Sequence, residues 1–147
     1  HTAYRRQRQM CIRDSGVGVH LGQDDGSIVD AVARLPKGVL IGRSCNNSLE
    51  LAKQAIADGA NYVAFGAIYA TDSKPEAGNI GLETLKLAKE KLKVPLCAIG
   101  GLTVENSKDV IESGADYCAV ISDILGLPMN AIPERLDEWS ALFQATA

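Results

Sequence analysis

The chain has 147 residues, enough for one domain with a sizeable core, and 46% of them are hydrophobic, an ordinary fraction for a soluble protein. Its net charge of −3 argues against non-specific binding to nucleic acid or to an anionic membrane, because both require a basic surface. No apolar run approaches the roughly 20 residues that span a bilayer, and no segment resembles a secretory signal peptide, so we expect a cytoplasmic protein.

The first fifteen residues differ in character from the rest of the chain. Arg5–Ser15 is what the read-through of a common transposase sequencing adapter would encode, and His1–Tyr4 fits the index region ahead of it. We therefore interpret residues 1–15 as non-native, the alternative being a natural basic arm. Leaving them out removes four arginines and one aspartate, which takes the net charge from −3 to −6. An anionic substrate of such an acidic domain must be held by a local site.

Three cysteines lie outside this segment, and no two of them have a metal-binding spacing. They are Cys45, Cys97 and Cys118. An odd number without a CxxC pair predicts reduced thiols in a reducing compartment rather than a disulfide framework. Cys97 and Cys118 lie inside apolar runs, which is typical of buried packing, and Cys45 has no paired histidine that would make it a nucleophile.

Five short apolar runs, separated by helical patterns, each end at a glycine or a small polar residue. The runs are Val19–Gly22, Val39–Gly42, Tyr62–Gly66, Leu96–Gly101 and Tyr117–Ser122. An alternation of buried strands with amphipathic helices predicts parallel α/β architecture. In that architecture the chemistry gathers where the carboxyl ends of the strands meet.

The segments between the runs carry helix signals. Asn47 and Glu50 resemble a capping box for a helix running to about Asp58. Gly59 then provides a left-handed stop, and the same helix-to-strand turn recurs at Gly114, which indicates repeated βα units.

Three further helices are predicted along the rest of the chain. Leu82–Lys91 has apolar residues at helical spacing, and Thr103 is placed to cap a helix through Ile111. Pro133 opens the last helix, in which we expect Trp139 to pack against the sheet rather than to stack on a ligand.

Two carboxylates follow the first run directly. Asp24 and Asp25 are suited to Mg²⁺, which takes one or two protein carboxylates and fills its shell with substrate phosphates. The alternative is a solvated turn or a helix cap. His20, within the run itself, is expected to be a packed or hydrogen-bonded histidine rather than a ligand.

Two other segments are suited to phosphate. Thr71–Lys74 offers two hydroxyls and an ammonium group inside a loop that is long for a βα connection. A plain surface turn is an alternative of equal weight. Gly100–Thr103 joins a strand to a helix start, where backbone N–H groups can approach an anion. Ser122, at the end of the last run, would be the partner of this glycine loop.

Four segments, in this order and spacing, resemble the thiamine phosphate synthase family. They are His20–Asp25, Ile41–Ser48, Gly59–Lys74 and Ala98–Thr103. None is specific alone, but together they are, and the resemblance covers essentially all of residues 16–147. It implies a TIM (β/α)8 barrel and a transferase that joins hydroxymethylpyrimidine diphosphate to thiazole phosphate and releases diphosphate.

The resemblance also implies roles for individual residues. Asp25 would be a Mg²⁺ ligand, and Ser44 and Lys74 would contact the pyrimidine diphosphate and carry the catalysis. The thiazole phosphate would be held by Thr71, Asp72, Ser73, Gly101, Ile121 and Ser122. The partners would then be these small molecules, with neither nucleic acid nor a membrane. No nucleophilic side chain is required, so catalysis would rest on positioning and electrostatics.

The number of strands departs from a complete barrel. A TIM barrel has eight strands in about 250 residues, and this sequence offers five. The family's early Gln-x-Arg-x-Lys motif and its Asn-Asp pair do not occur before His20. We therefore expect residues 16–147 to be a C-terminal part, about strands 4 to 8, that is inactive alone. Its two open sheet edges predict self-association, for example as a homo-oligomer.

Two other functions remain open at this point. The related thiazole tautomerase is an isomerase on the same fold, but it handles no diphosphate and would not need the carboxylates after Gly22. A non-catalytic phosphate-binding barrel module is the alternative from another functional class.

Overall fold

The computed structural model describes residues 18–69 and 80–146. In these ranges five strands lie in one sheet in the order β1-β2-β3-β4-β5, and every neighbouring pair is parallel. The strands are β1 Val19–Leu21, β2 Ile41–Ser44, β3 Tyr62–Phe65, β4 Leu96–Ile99 and β5 Tyr117–Ala119. The helices are α1 Ile28–Arg34, α2 Leu49–Ala57, α3 Ile80–Lys91, α4 Lys108–Glu112, α5 Ser122–Leu125 and α6 Ile132–Thr146. The predicted α/β architecture with a parallel sheet is confirmed.

One face of the sheet forms the hydrophobic core with the helices. Side chains alternate between the two faces of a strand, and paired residues of neighbouring strands share a face. The helix-packed face carries Ile41, Val63, Phe65, Leu96 and Ala98, which are buried in one cluster with helix residues such as Ala52, Leu85 and Val110. None of the helices in the described ranges is long and apolar enough to cross a membrane.

The opposite face of the sheet carries polar and aromatic side chains. His20, Ser44, Tyr62 and Tyr117 lie on it, and Tyr117 is 52% exposed. Gly42 makes room for the Tyr62 ring, since a Cβ added at Gly42 would lie 2.0 Å from the ring atom Cζ. The contacts among these side chains therefore depend on a glycine in the neighbouring strand.

The predicted repeat of one helix-to-strand turn is present at two places. Gly59 and Gly114 have φ of +107° and +112°, the left-handed conformation that favours glycine. Two residues after each glycine, a side-chain oxygen accepts a hydrogen bond from the first residue of the preceding strand. Asn61 accepts from the Ile41 N–H at 2.8 Å, and Asp116 accepts from the Leu96 N–H at 2.9 Å. Each turn therefore also fixes a strand to its neighbour.

Two predicted boundaries are corrected by the structure. The second strand was expected at Val39–Gly42 but lies two residues later, because Arg43 and Ser44 pair with β3. The helix expected to begin at Asn47 is instead capped by Ser48, whose hydroxyl accepts from the Leu51 N–H at 3.3 Å.

Trp139 lies in the core, as the sequence predicts. It is 7% exposed and packs beside Phe143 at a ring-centroid distance of 6.5 Å. Its indole N–H also donates to the buried carboxylate of Asp123 at 2.8 Å. The side chain therefore has a polar partner inside the cluster as well as apolar ones.

Candidate functional site

The described residues with predicted site roles all lie at or beyond the carboxyl ends of the strands. Those residues are Asp25, Ser44, Gly101, Ile121 and Ser122. Because all five strands are parallel, these positions belong to the same edge of the sheet. The other predicted site residues, Thr71, Asp72, Ser73 and Lys74, lie outside the described residues.

Asp25 closes a tight turn after β1. Its carboxylate oxygen Oδ2 accepts the Gly22 N–H at 2.8 Å, and its own N–H donates to the Gly22 carbonyl at 3.1 Å. The side chain is nevertheless exposed. The backbone of the turn is thus fixed by hydrogen bonds, and the turn presents the Asp25 carboxylate at the edge of the sheet.

Arg43 and Gln23 attach this turn to β2. The Arg43 guanidinium donates to the Gly26 carbonyl at 2.6 Å and to the Gln23 carbonyl at 3.1 Å. The Gln23 side-chain amide donates to the carbonyl of Ser44. The backbone of the turn that contains Asp25 is therefore attached to β2 near Ser44. The sequence did not indicate this role for Arg43.

The turn fits a magnesium ion that takes most of its ligands from elsewhere. Asp24 and Asp25 are both exposed there. Over residues 18–69 and 80–146, no three His, Cys, Asp or Glu side chains group together as a metal cage. Mg²⁺ is commonly held by one or two carboxylates, with phosphates and water completing its shell. The described donor set suits that arrangement and not an all-protein cage.

His20 is hydrogen-bonded on both ring nitrogens. Nε2 lies 2.8 Å from the Ser44 hydroxyl, and Nδ1 lies 2.9 Å from the Tyr62 hydroxyl. His20 is thus hydrogen-bonded, as the sequence predicts. Partial burial of the ring lowers its pKa, the Asp25 carboxylate acts in the opposite direction, and Arg43 lowers the pKa further.

We expect an imidazole pKa of His20 below the ordinary value of 6.5. The unfolded chain then binds the proton more readily, so folding stability falls as the pH drops through the window just below 6.5. An NMR pH titration measures this pKa, with His20→Gln identifying the resonance. Asp25→Asn should lower the pKa further, because it removes the attraction that raises it. A pKa at or above 6.5 would show that Asp25 outweighs burial.

The glycine loop after β4 is organised by one asparagine. The Asn106 side chain donates to the Gly101 carbonyl at 2.8 Å and accepts the Thr103 N–H at 2.9 Å. Gly100 and Gly101 have φ of +103° and +66°. The expectation that Thr103 caps a helix is wrong, because Asn106 folds these residues into a turn and α4 begins only at Lys108.

The last predicted site residues lie beyond the strand that was expected to contain them. β5 ends at Ala119, Ser122 is the first residue of the short helix α5, and Ile121 precedes it. Both side chains are exposed, and Ile121 is 67% exposed. The segment is thus a strand-to-helix connection like the glycine loop after β4.

The three cysteines do not provide a nucleophile. Cys45 and Cys97 are buried, Cys118 is partly buried, and all are free thiols. Burial raises the pKa of Cys45 and Cys97 to about 11 and that of Cys118 to about 12. At neutral pH these thiols stay protonated, which agrees with the prediction of packing roles.

The fold and the site define a class of protein. The chain has a parallel α/β sheet with helices packed on one face and with a carboxylate turn and a glycine loop at its carboxyl edge, the edge where proteins of this class generally bind ligands. The sequence model of the family described as thiamine monophosphate synthase matches residues 9–124, most of the chain. The chain belongs to this thiamine monophosphate synthase family.

One solved structure agrees with this assignment, and two others share only the fold. Thiamine phosphate pyrophosphorylase from Pyrococcus furiosus is 34% identical, with a TM-score of 0.76 over 88% of this chain and 60% of that one. The chain therefore spans less than two thirds of that relative's length. A native KDPGal structure (18% identity, TM-score 0.68, 95% of this chain and 65% of that one) shares the fold. A mandelate oxidase variant shares the fold as well, with 18% identity and a TM-score of 0.66 over 97% of this chain and 50% of that one.

Proposed function

We propose that residues 16–147 are the C-terminal part of a thiamine phosphate synthase. This transferase joins 4-amino-2-methyl-5-hydroxymethylpyrimidine diphosphate to 4-methyl-5-(2-phosphoethyl)thiazole and releases diphosphate. Family membership supports this proposal. The observation that carries it is the attachment of the turn containing Asp25, the proposed metal ligand, to the strand that ends at Ser44, through the side chains of Gln23 and Arg43.

We further propose that the five strands are the fourth to eighth of a TIM barrel. Their order along the sheet equals their order in the chain, as in a barrel, where each strand pairs with the next. The face that carries Tyr62 and Tyr117 would then point into the barrel. This arrangement also accounts for aromatic side chains on the face away from the helices.

The chain's own residues would act by positioning and electrostatics. Mg²⁺, held by Asp25 and by the diphosphate, would supply positive charge to the leaving group. Ser44, with its hydroxyl fixed by His20 at 2.8 Å, would orient the pyrimidine diphosphate. Lys74 would add a second positive charge at the diphosphate. The protonated thiols agree with a reaction that needs no protein nucleophile.

The thiazole phosphate would be held by residues of three connections. Gly101 offers backbone N–H groups in a turn fixed by Asn106, and Ile121 and Ser122 follow the neighbouring strand. Thr71, Asp72 and Ser73 would contribute from the part of the sequence between β3 and α3. We propose these two small molecules as the partners, together with self-association through the open sheet edges.

The geometry favours a synthase over the isomerase alternative. A thiazole tautomerase handles no diphosphate and needs no metal carboxylate. The Asp25 turn, however, is closed by its own side chain and attached to β2 by Arg43. A carboxylate on a turn fixed in this way would be suited to hold the metal that assists the loss of diphosphate.

A fusion protein tests the proposed function. It joins the part of the Pyrococcus furiosus pyrophosphorylase that this chain does not cover to residues 16–147. We expect the fusion to form thiamine phosphate when Mg²⁺ is present, and we expect product formation to stop when the metal is chelated. The 147-residue chain alone should show no turnover, because the proposed site lacks its first three strands. Normal turnover by the chain alone would contradict that part of the proposal.

A further inference from the structure

One arginine on the last helix connects the two segments that follow the final two strands. Arg135 of α6 donates to the Glu105 carboxylate at 2.8 Å, in the loop after β4. Its other terminal nitrogen lies 3.3 Å from the carboxylate of Asp123, in the first turn of α5. It also contacts Glu138, one turn further along its own helix, at 2.8 Å. The side chain is 20% exposed, so it lies against the protein rather than in solvent.

One carboxylate is next in the chain to a proposed phosphate-binding residue, and the other is next to the asparagine that fixes the glycine loop. Glu105 immediately precedes Asn106, which donates to the Gly101 carbonyl. Asp123 immediately follows Ser122, and its side chain is only 4% exposed. A buried carboxylate needs hydrogen-bonded or charged partners, and Asp123 finds them in the Trp139 indole N–H and in Arg135. The planar guanidinium fork can serve two carboxylates in a fixed geometry, which an ammonium group cannot do.

We propose that Arg135 is a positioning residue that holds the loop after β4 and the start of α5 together, so that Gly101 and Ser122 can bind one phosphate group. This inference rests on the proposed function for the location of the phosphate. Preorganised donors bind an anion more tightly than donors that must first be brought together. Arg135 also offsets the negative charges of Glu105 and Asp123.

Glu105→Gln separates positioning from charge. The substitution removes a negative charge next to the glycine loop, so electrostatics alone predicts tighter phosphate binding. Positioning predicts the opposite, because the ionic connection to Arg135 is lost. Glu138→Gln is the matched control, since it removes an exposed carboxylate at the same 2.8 Å distance from Arg135 without touching either loop.

The experiment titrates the 147-residue chain and both variants with inorganic phosphate and follows the Gly101 and Ser122 amides by NMR. We expect both amides to shift with one affinity in the parent chain. Glu105→Gln should weaken that affinity about five- to tenfold and Glu138→Gln less than twofold, with thermal unfolding confirming that both are folded. Equal affinities in the parent chain and Glu105→Gln would overturn the positioning role and leave the proposed function intact. If phosphate shifts neither amide in the parent chain, the phosphate site itself is wrong and the inference fails with it.

Discussion

Replacing Asp25 with asparagine in the fusion protein should lower Mg²⁺-dependent formation of thiamine phosphate about 100-fold, the usual effect of removing one electrostatic contributor from an active site. Asparagine is nearly isosteric, and its amide oxygen can still accept the Gly22 N–H that closes the turn. The change therefore removes the charge but keeps the backbone. Initial rates at saturating substrates, measured over a range of Mg²⁺ concentrations, report the loss.

Asp24→Asn is the control for this prediction. Asp24 is the preceding residue, is also exposed and loses the same charge on substitution, but its carboxylate does not close the turn. We expect a change of less than threefold. Equal losses in the two variants would indicate a general charge effect, and an Asp25→Asn variant with normal Mg²⁺ dependence would exclude Asp25 as a ligand.

Gly100→Ala should destabilise the chain by about 3 kcal/mol, a large fraction of the stability of a small domain. Two causes add. The φ of +103° is unfavourable for any residue with a Cβ, and that Cβ would lie 2.7 Å from the Cα of Ala67 in the neighbouring connection. Because a backbone atom is in the way, the loop after β4 must move. Urea unfolding measures the loss.

Gly38→Ala separates the two causes. Gly38 has a φ of +90°, but nothing lies within 4 Å of an added Cβ. This control should cost only the conformational strain, about 1 kcal/mol. If the two variants lose the same free energy of unfolding, the close approach of Gly100 to Ala67 contributes nothing to the loss.

The sequence predicted the parallel α/β architecture correctly because its periodic pattern follows burial. Each apolar run became a parallel strand, and the turns at Gly59 and Gly114 have the left-handed backbone that the repeat indicated. The predicted strand boundaries were less accurate, because hydrophobicity indicates which residues are buried and not which residues pair with a neighbouring strand. Ser44 is polar, yet it belongs to β2 through its ladder with Ala64.

The supporting contacts of the site could not be predicted, because they join residues far apart in the chain. His20 reaches Tyr62 across 42 positions, and Arg135 reaches Glu105 across 30. The role of Asn106 had no clear local signal either, because an asparagine side chain usually bonds the backbone two residues ahead of it. Asn106 instead bonds backwards to the Thr103 N–H, and this turn replaces the helix cap expected at Thr103.

The most direct test of the account is product formation by the fusion of the Pyrococcus furiosus N-terminal part with residues 16–147, compared with the parent pyrophosphorylase under the same conditions. We predict thiamine phosphate from the two substrates, dependent on Mg²⁺ and lost on chelation. A fusion that folds cooperatively but forms no thiamine phosphate, while the parent enzyme does, would contradict the claim that this chain carries a synthase half-site.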